Sequence, residues 1–220
     1  MSFVHLLQSI EGGIYEVIAW ALLFPKTLLK TIFKPWWGPN YVNEEWETKE
    51  KEEERFDQSL SPGLLWLIVC ALQILFTDPI ETASSLFDYV PQFTKLLNMI
   101  KALEGESRLA TQILFLLVYP FIYLMWMEWL KEGDIQRSKL KRIVQIHCYA
   151  LAPAQFLSIV VPGFGFLFMW FYETFVFRSE FKSGWLKSIW YGIAPQLLLL
   201  VIYFVVAFLS GLFGALTGNA

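Results

Sequence analysis

The sequence predicts an all-α fold, a polytopic transmembrane helical bundle of about five spans with a cytoplasmic N-terminus and amphipathic interfacial helices. Three observations predict it. Hydrophobic residues make up 56% of the 220 and aromatics 18%, and the mean hydropathy is +0.47, all well above a soluble domain of this length. Long apolar runs are bracketed by charges. The lysines and arginines are confined to alternate connections, as the retention of basic loops on the cytoplasmic side requires.

The elements follow in order. Residues 1–59 form an amphipathic and charged arm. Its first part, Ser2 to Phe24, is apolar but carries Glu11, Gly12, Gly13 and Glu16 at its middle. A carboxylate at the centre of a span costs roughly 2 to 3 kcal/mol on insertion scales, so a membrane-surface helix pair or a shallow re-entrant element is expected. After Pro25, Lys26, Lys30 and Lys34 recur every fourth residue, opposite Leu28, Leu29, Ile32, Phe33 and Trp36. That is the pattern of an interfacial helix whose ammonium groups meet anionic headgroups, with Trp36 and Trp37 at the interface. Packing on the protein's own spans is the alternative. Asn43 to Asp57 is a dense mixed-charge run, read as a solvated helix face or a partner surface.

The transmembrane domain covers residues 60–217. Its spans are expected at about 60–77, 109–130, 143–161, 163–177 and 186–216. The first is short unless Pro62 lies in the opening turn, where its missing N–H costs nothing; Asp78-Pro79 stops it. Arg108 and Lys131 bracket the second. From Ile143 to Phe177 the apolar stretch is too long for one helix, and Val161-Pro162-Gly163-Phe164-Gly165 supplies the turn between two. Residues 78–108 form an extracytoplasmic loop in which Leu86, Val90, Phe93, Leu97 and Ile100 recur at helical spacing. The arm, the loop after span two and the loop after span four hold all but Lys95, Lys101 and Arg108 of the 17 basic residues, which sets the N-terminus inside. Cys70 and Cys148 each lie in an apolar run and read as small hydrophobes. No cleavable signal peptide or lipidation motif is read at the ends.

Two groups of residues stand out within the spans. Glu128, His147 and Glu173 fall in one cytoplasmic-side polar layer, where convergence on a hydrated site competes with each group reaching the nearby interface. Tyr149-Ala-Leu-Ala-Pro153 and Tyr191-Gly-Ile-Ala-Pro195 repeat one pattern, and each proline is expected to kink its span.

The five-span layout, the basic hairpin before span three and the opening of that span by Tyr149 to Pro153 resemble the YIP family of membrane proteins, which includes interactors of Ypt and Rab GTPases. The compact form is similar to the prokaryotic relatives. The resemblance implies a multi-pass protein of a bacterial cytoplasmic membrane. The long polar N-terminus of the eukaryotic members is missing, and with it the basis for a GTPase partner.

Catalysis is not expected. The histidines are His5 and His147; His147 and Cys148, adjacent on a helix, point about 100° apart and form no dyad. No metal or cofactor site is read, and nucleic acid is not a favoured partner of this charge pattern. The expected role is a scaffold, assembly factor or accessory subunit of a larger membrane complex, with anionic lipid and other membrane proteins or a second copy as partners. The alternative is a small permease or carrier subunit that moves a lipid or lipid-like solute.

Overall fold

The computed structural model describes residues 3–49, 51, 55–77, 105–131, 137–161 and 164–216. Among them the fold is all-helical: α1 (Phe3–Phe33), α2 (Trp37–Thr48), α3 (Pro62–Phe76), α4 (Gly105–Leu130), α5 (Arg137–Val160), α6 (Gly165–Phe181) and α7 (Trp185–Leu216). The expected helix in residues 78–108, through Leu86 to Ile100, lies outside the described residues, except that α4 begins at Gly105. The Pro162-Gly163 turn lies outside them too.

The boundaries have local causes. Pro62 sits in the first turn of α3 after the extended Ser61, where a proline gives up no helical hydrogen bond. At the other end the Thr77 hydroxyl donates back to the Gln73 carbonyl at 2.8 Å. Helix α6 ends on Lys182, whose φ of 47° is left-handed, the conformation that turns a chain out of a helix.

Helix α5 is the axis of the molecule. Every residue from Ile146 to Gln155 is buried, and α5 packs against α1, α2, α3, α4 and α6. Helix α7 closes the far side against α6. The thiols of Cys70 and Cys148 are both buried and unpaired. One described helix, α5, is long and apolar enough to cross a membrane, and α3 is apolar but shorter, at 15 residues.

The arm departs from expectation in two places. Residues 3–33 form one uninterrupted helix through Glu11, Gly12, Gly13 and Pro25, rather than a helix pair or a re-entrant turn followed by a separate helix. Pro25 is exposed, so the Ala21 carbonyl it leaves without an N–H partner is on an accessible side of the helix. The charged run does not form a helix from Asn43 to Asp57: α2 ends at Thr48, and Glu45 is buried, with its carboxylate accepting the Phe56 N–H at 2.8 Å. Phe56 takes a left-handed φ of 68°, a strained conformation for a bulky residue, and its ring packs edge-on against Tyr149.

Candidate functional site

Two polar constellations lie one above the other along α5. The deeper one is built on the pair that the sequence placed in a single layer. His147 Nδ1 and Glu173 Oε2 are 2.9 Å apart, both side chains are fully buried, and α5 and α6 bring them together across 26 residues of sequence. The Tyr123 ring of α4 stacks on the imidazole with centroids 5.5 Å apart. Its hydroxyl donates to the Gly192 carbonyl at 3.2 Å and accepts from Gln196 Nε2 at 2.7 Å, which carries the cluster into α7. Close approach of α7 to α6 at this level depends on Gly192, where an added Cβ would sit 3.2 Å from the Thr174 nitrogen. His147 Nε2, Glu173 Oε1 and Gln196 Oε1 are buried without a hydrogen-bond partner. The third residue of the expected layer is not joined to the pair. Glu128 is half-buried near the end of α4, and its carbonyl accepts the Lys131 N–H.

The shallower constellation is centred on Glu180, a residue the sequence did not single out. Its side chain is 5% exposed. Arg142 addresses it with both guanidinium arms, at 3.0 and 2.9 Å. Asn43 Nδ2 donates to it at 3.0 Å and Lys131 Nζ at 3.2 Å, and Arg142 also donates to Asn43 Oδ1. Burial works to raise the Glu180 pKa, but the hydrogen bonds from Arg142 and Asn43 and the charges of Arg142 and Lys131 outweigh it, and the carboxyl is held below its ordinary range. Four elements are tied at this point: α2, α5, α6 and the end of α4. Trp46 adds a second tie, donating to Gln145 Oε1 at 2.7 Å, while Arg55 stacks on its other side at 3.9 Å. Helix α2 is thus clamped across the ends of α5 and α6.

The two tyrosines of the repeated motif serve different ends. Tyr149 is buried, its hydroxyl bonds to the Leu60 carbonyl and lies 3.0 Å from Ser59 Oγ, and Trp37 and Tyr41 pack on its ring. Gly38 of α2 rests on it so closely that an added Cβ would come within 2.9 Å of the Tyr149 Cβ. Tyr191 is half-buried and packs on Phe177 and Phe181 of α6. Pro153 and Pro195 are both buried, and α5 and α7 run through them without interruption.

Lys26 and Lys30 are exposed on α1, and Lys34 is exposed just past its end. The apolar face set opposite them is split. Leu28 is buried and Ile32 packs on the core, while Leu29 and Phe33 face outward at 53% and 73% exposure. Trp36 is turned out, but Trp37 is turned in, stacked on Tyr41 at 4.8 Å and covered by Lys30 at 4.1 Å, so Trp37 is a packing residue and not an interfacial one. The chain matches no family model, no curated protein and no solved structure.

Proposed function

We propose that the protein is a multi-pass membrane protein in which α3 to α7 cross the bilayer and α2 caps their cytoplasmic ends. We propose further that it acts without catalysis as a scaffold, assembly factor or accessory subunit of a larger membrane complex. One observation carries the membrane reading: α4, α6 and α7 turn large apolar side chains outward, while ionisable and amide groups lie buried within an apolar core. Val118, Phe121 and Met125 of α4, Phe171 of α6 and Leu198, Val201 and Val205 of α7 face outward, whereas Gln73, Gln155, Gln196, His147 and Glu173 are buried. Water disfavours so broad an exposed apolar surface, and lipid is the solvent in which it is stable. The basic residues of the arm, of residues 131–142 and of 178–187 then share one side, as in the layout that the resemblance to the YIP family implies. At about 1.5 Å per residue α3 and α6 are short for a crossing, which local bilayer thinning accommodates.

The scaffold reading is supported by the clamp. Glu180 and Tyr149 fix α2 as a rigid lid, and Glu44 and Glu47 are exposed on its outer side as an acidic face for a basic partner. Purification in mild detergent should recover a stoichiometric partner that is lost from the Glu44→Lys, Glu47→Lys double variant. A protein that purifies alone, and that moves lipid between leaflets of vesicles made with it, belongs instead to the carrier class. The buried polar cluster around Tyr123, His147 and Glu173 is the feature that favours that second reading.

A further inference from the structure

We propose that α1 is an in-plane membrane anchor: it lies along the cytoplasmic leaflet rather than across the bilayer, and its N-terminal half extends past the bundle into lipid. The inference rests on the membrane reading above. Its first support is the direction of the helix. Tyr172 of α6 donates to the Ile32 carbonyl at 2.9 Å, and Thr27 Oγ1, five residues earlier, accepts the N–H of Leu60 at the entry to α3 at 3.1 Å. Over those residues α1 advances about 7.5 Å and passes from α6 to α3. The depth of the two contacts can be read on α5. Tyr172 neighbours Glu173, which bonds to His147, and Leu60 is held by Tyr149. His147 and Tyr149 differ by only about 3 Å of rise. Helix α1 therefore moves farther across the bundle than along it.

The second support is the division of its surface into three faces. Trp20, Leu23, Phe24, Thr27, Leu28 and Thr31 face the bundle. Ile14, Ile18 and Leu22 continue into Leu29 and Phe33 as an outward apolar stripe, each at least half exposed. Lys26 and Lys30 line the edge of that stripe, and Lys34 follows the last turn of the helix. An in-plane helix needs this layout, with apolar side chains turned toward the acyl chains and ammonium groups level with the phosphates. From Glu11 to Ala19 every position whose exposure is described is exposed, so this half has no bundle to rest on, and lipid is the occupant that fits both the stripe and the lysines. Glu11 stands in line with the stripe near its far end and is the residue least suited to depth.

Spin labels on the full-length protein in phosphatidylcholine and phosphatidylglycerol vesicles test this. Labels at Ile14→Cys, Ile18→Cys and Leu22→Cys should all be accessible to oxygen, shielded from an aqueous nickel complex, and at one shallow depth; a label at Lys30→Cys should meet the nickel complex. The protein labelled without added cysteines supplies the background from Cys70 and Cys148. A depth that increases steadily from Leu22 to Ile14 makes α1 a crossing helix and overturns the proposal. So do labels that all meet water, or that are shielded from both reagents by another protein surface. Labels at Val118→Cys and Val205→Cys report on the membrane reading itself: if they too meet water, that reading fails and takes the anchor with it, whereas lipid contact there with water contact on α1 rejects the anchor alone.

Discussion

His147 and Glu173 meet through a single hydrogen bond with no exposure to solvent, so each is the other's main compensation for burial. Glu173→Ala strands the imidazole and is expected to cost about 3 kcal/mol, whereas Glu173→Gln keeps an oxygen beside Nδ1 and should cost about 1 kcal/mol. Reversible unfolding in mixed detergent measures both, and equal costs would show that the pair contributes packing and no polar coupling. Glu180 carries a different expectation, in pH. Its folded pKa lies below the ordinary 4.5, so its contribution is complete above that value and is lost as pH falls through the lower, folded value. The clamp on α2 should loosen in that acidic window, seen as a change in Trp46 environment, and Glu180→Gln should be weaker at neutral pH yet less acid-sensitive. The sequence made His147 and Glu173 legible as one layer, because two ionisable groups in apolar spans of opposite direction fix their own depth. It could not show Asn43 on Glu180, a contact between residues 137 apart, nor that Glu128 stays outside the pair. Depth along a span is readable from charges at its ends; the side of the helix that meets a neighbour is not.

At the scale of elements, the long helices were more legible than their bounds. The expected spans 109–130, 143–161 and 186–216 overlap α4, α5 and α7, but α4 begins at Gly105 and α5 at Arg137, so the charges that bracket those apolar runs on the N-terminal side lie within the helices. The arm was less legible. Pro25 and the Gly12-Gly13 pair read as breaks, yet α1 runs through all three, just as α5 and α7 run through the buried Pro153 and Pro195. Helix α2 was not legible because it starts at Trp37, ahead of the charged run, and ends inside it at Thr48, and one buried carboxylate, Glu45, looks no different in sequence from the exposed ones beside it. Its close seat on α5 gives a sharp test. Gly38→Ala puts a methyl group 2.9 Å from the Tyr149 Cβ, an atom fixed to the backbone, and should destabilise by about 1–3 kcal/mol. Gly63→Ala meets nothing within 4 Å and should be neutral or slightly stabilising. Thermal unfolding of the two variants decides: equal behaviour would mean that α2 can lift from α5 at no cost.

For the whole molecule, the outward apolar faces of α4, α6 and α7 predict where substitution is tolerated. Val205 faces outward on α7 at 51% exposure. In water an arginine there would be innocuous; in a bilayer Val205→Arg should cost about 2.5–3.5 kcal/mol on insertion scales and reduce the fraction of chains resisting alkaline extraction from membranes. An unchanged fraction would argue against a lipid-facing α7.

The clamp also sets a timetable. Asn43 leaves the ribosome 137 residues ahead of Glu180, and at roughly 5–20 residues per second the interval is about 7–27 s. Through that time the lid has been made and the Glu180 clamp that locks it has not. A nascent chain in which α5 has emerged should already shield α2 in part from protease, and one in which α6 has emerged should protect it fully, because Glu180 then joins Arg142, Asn43 and Lys131.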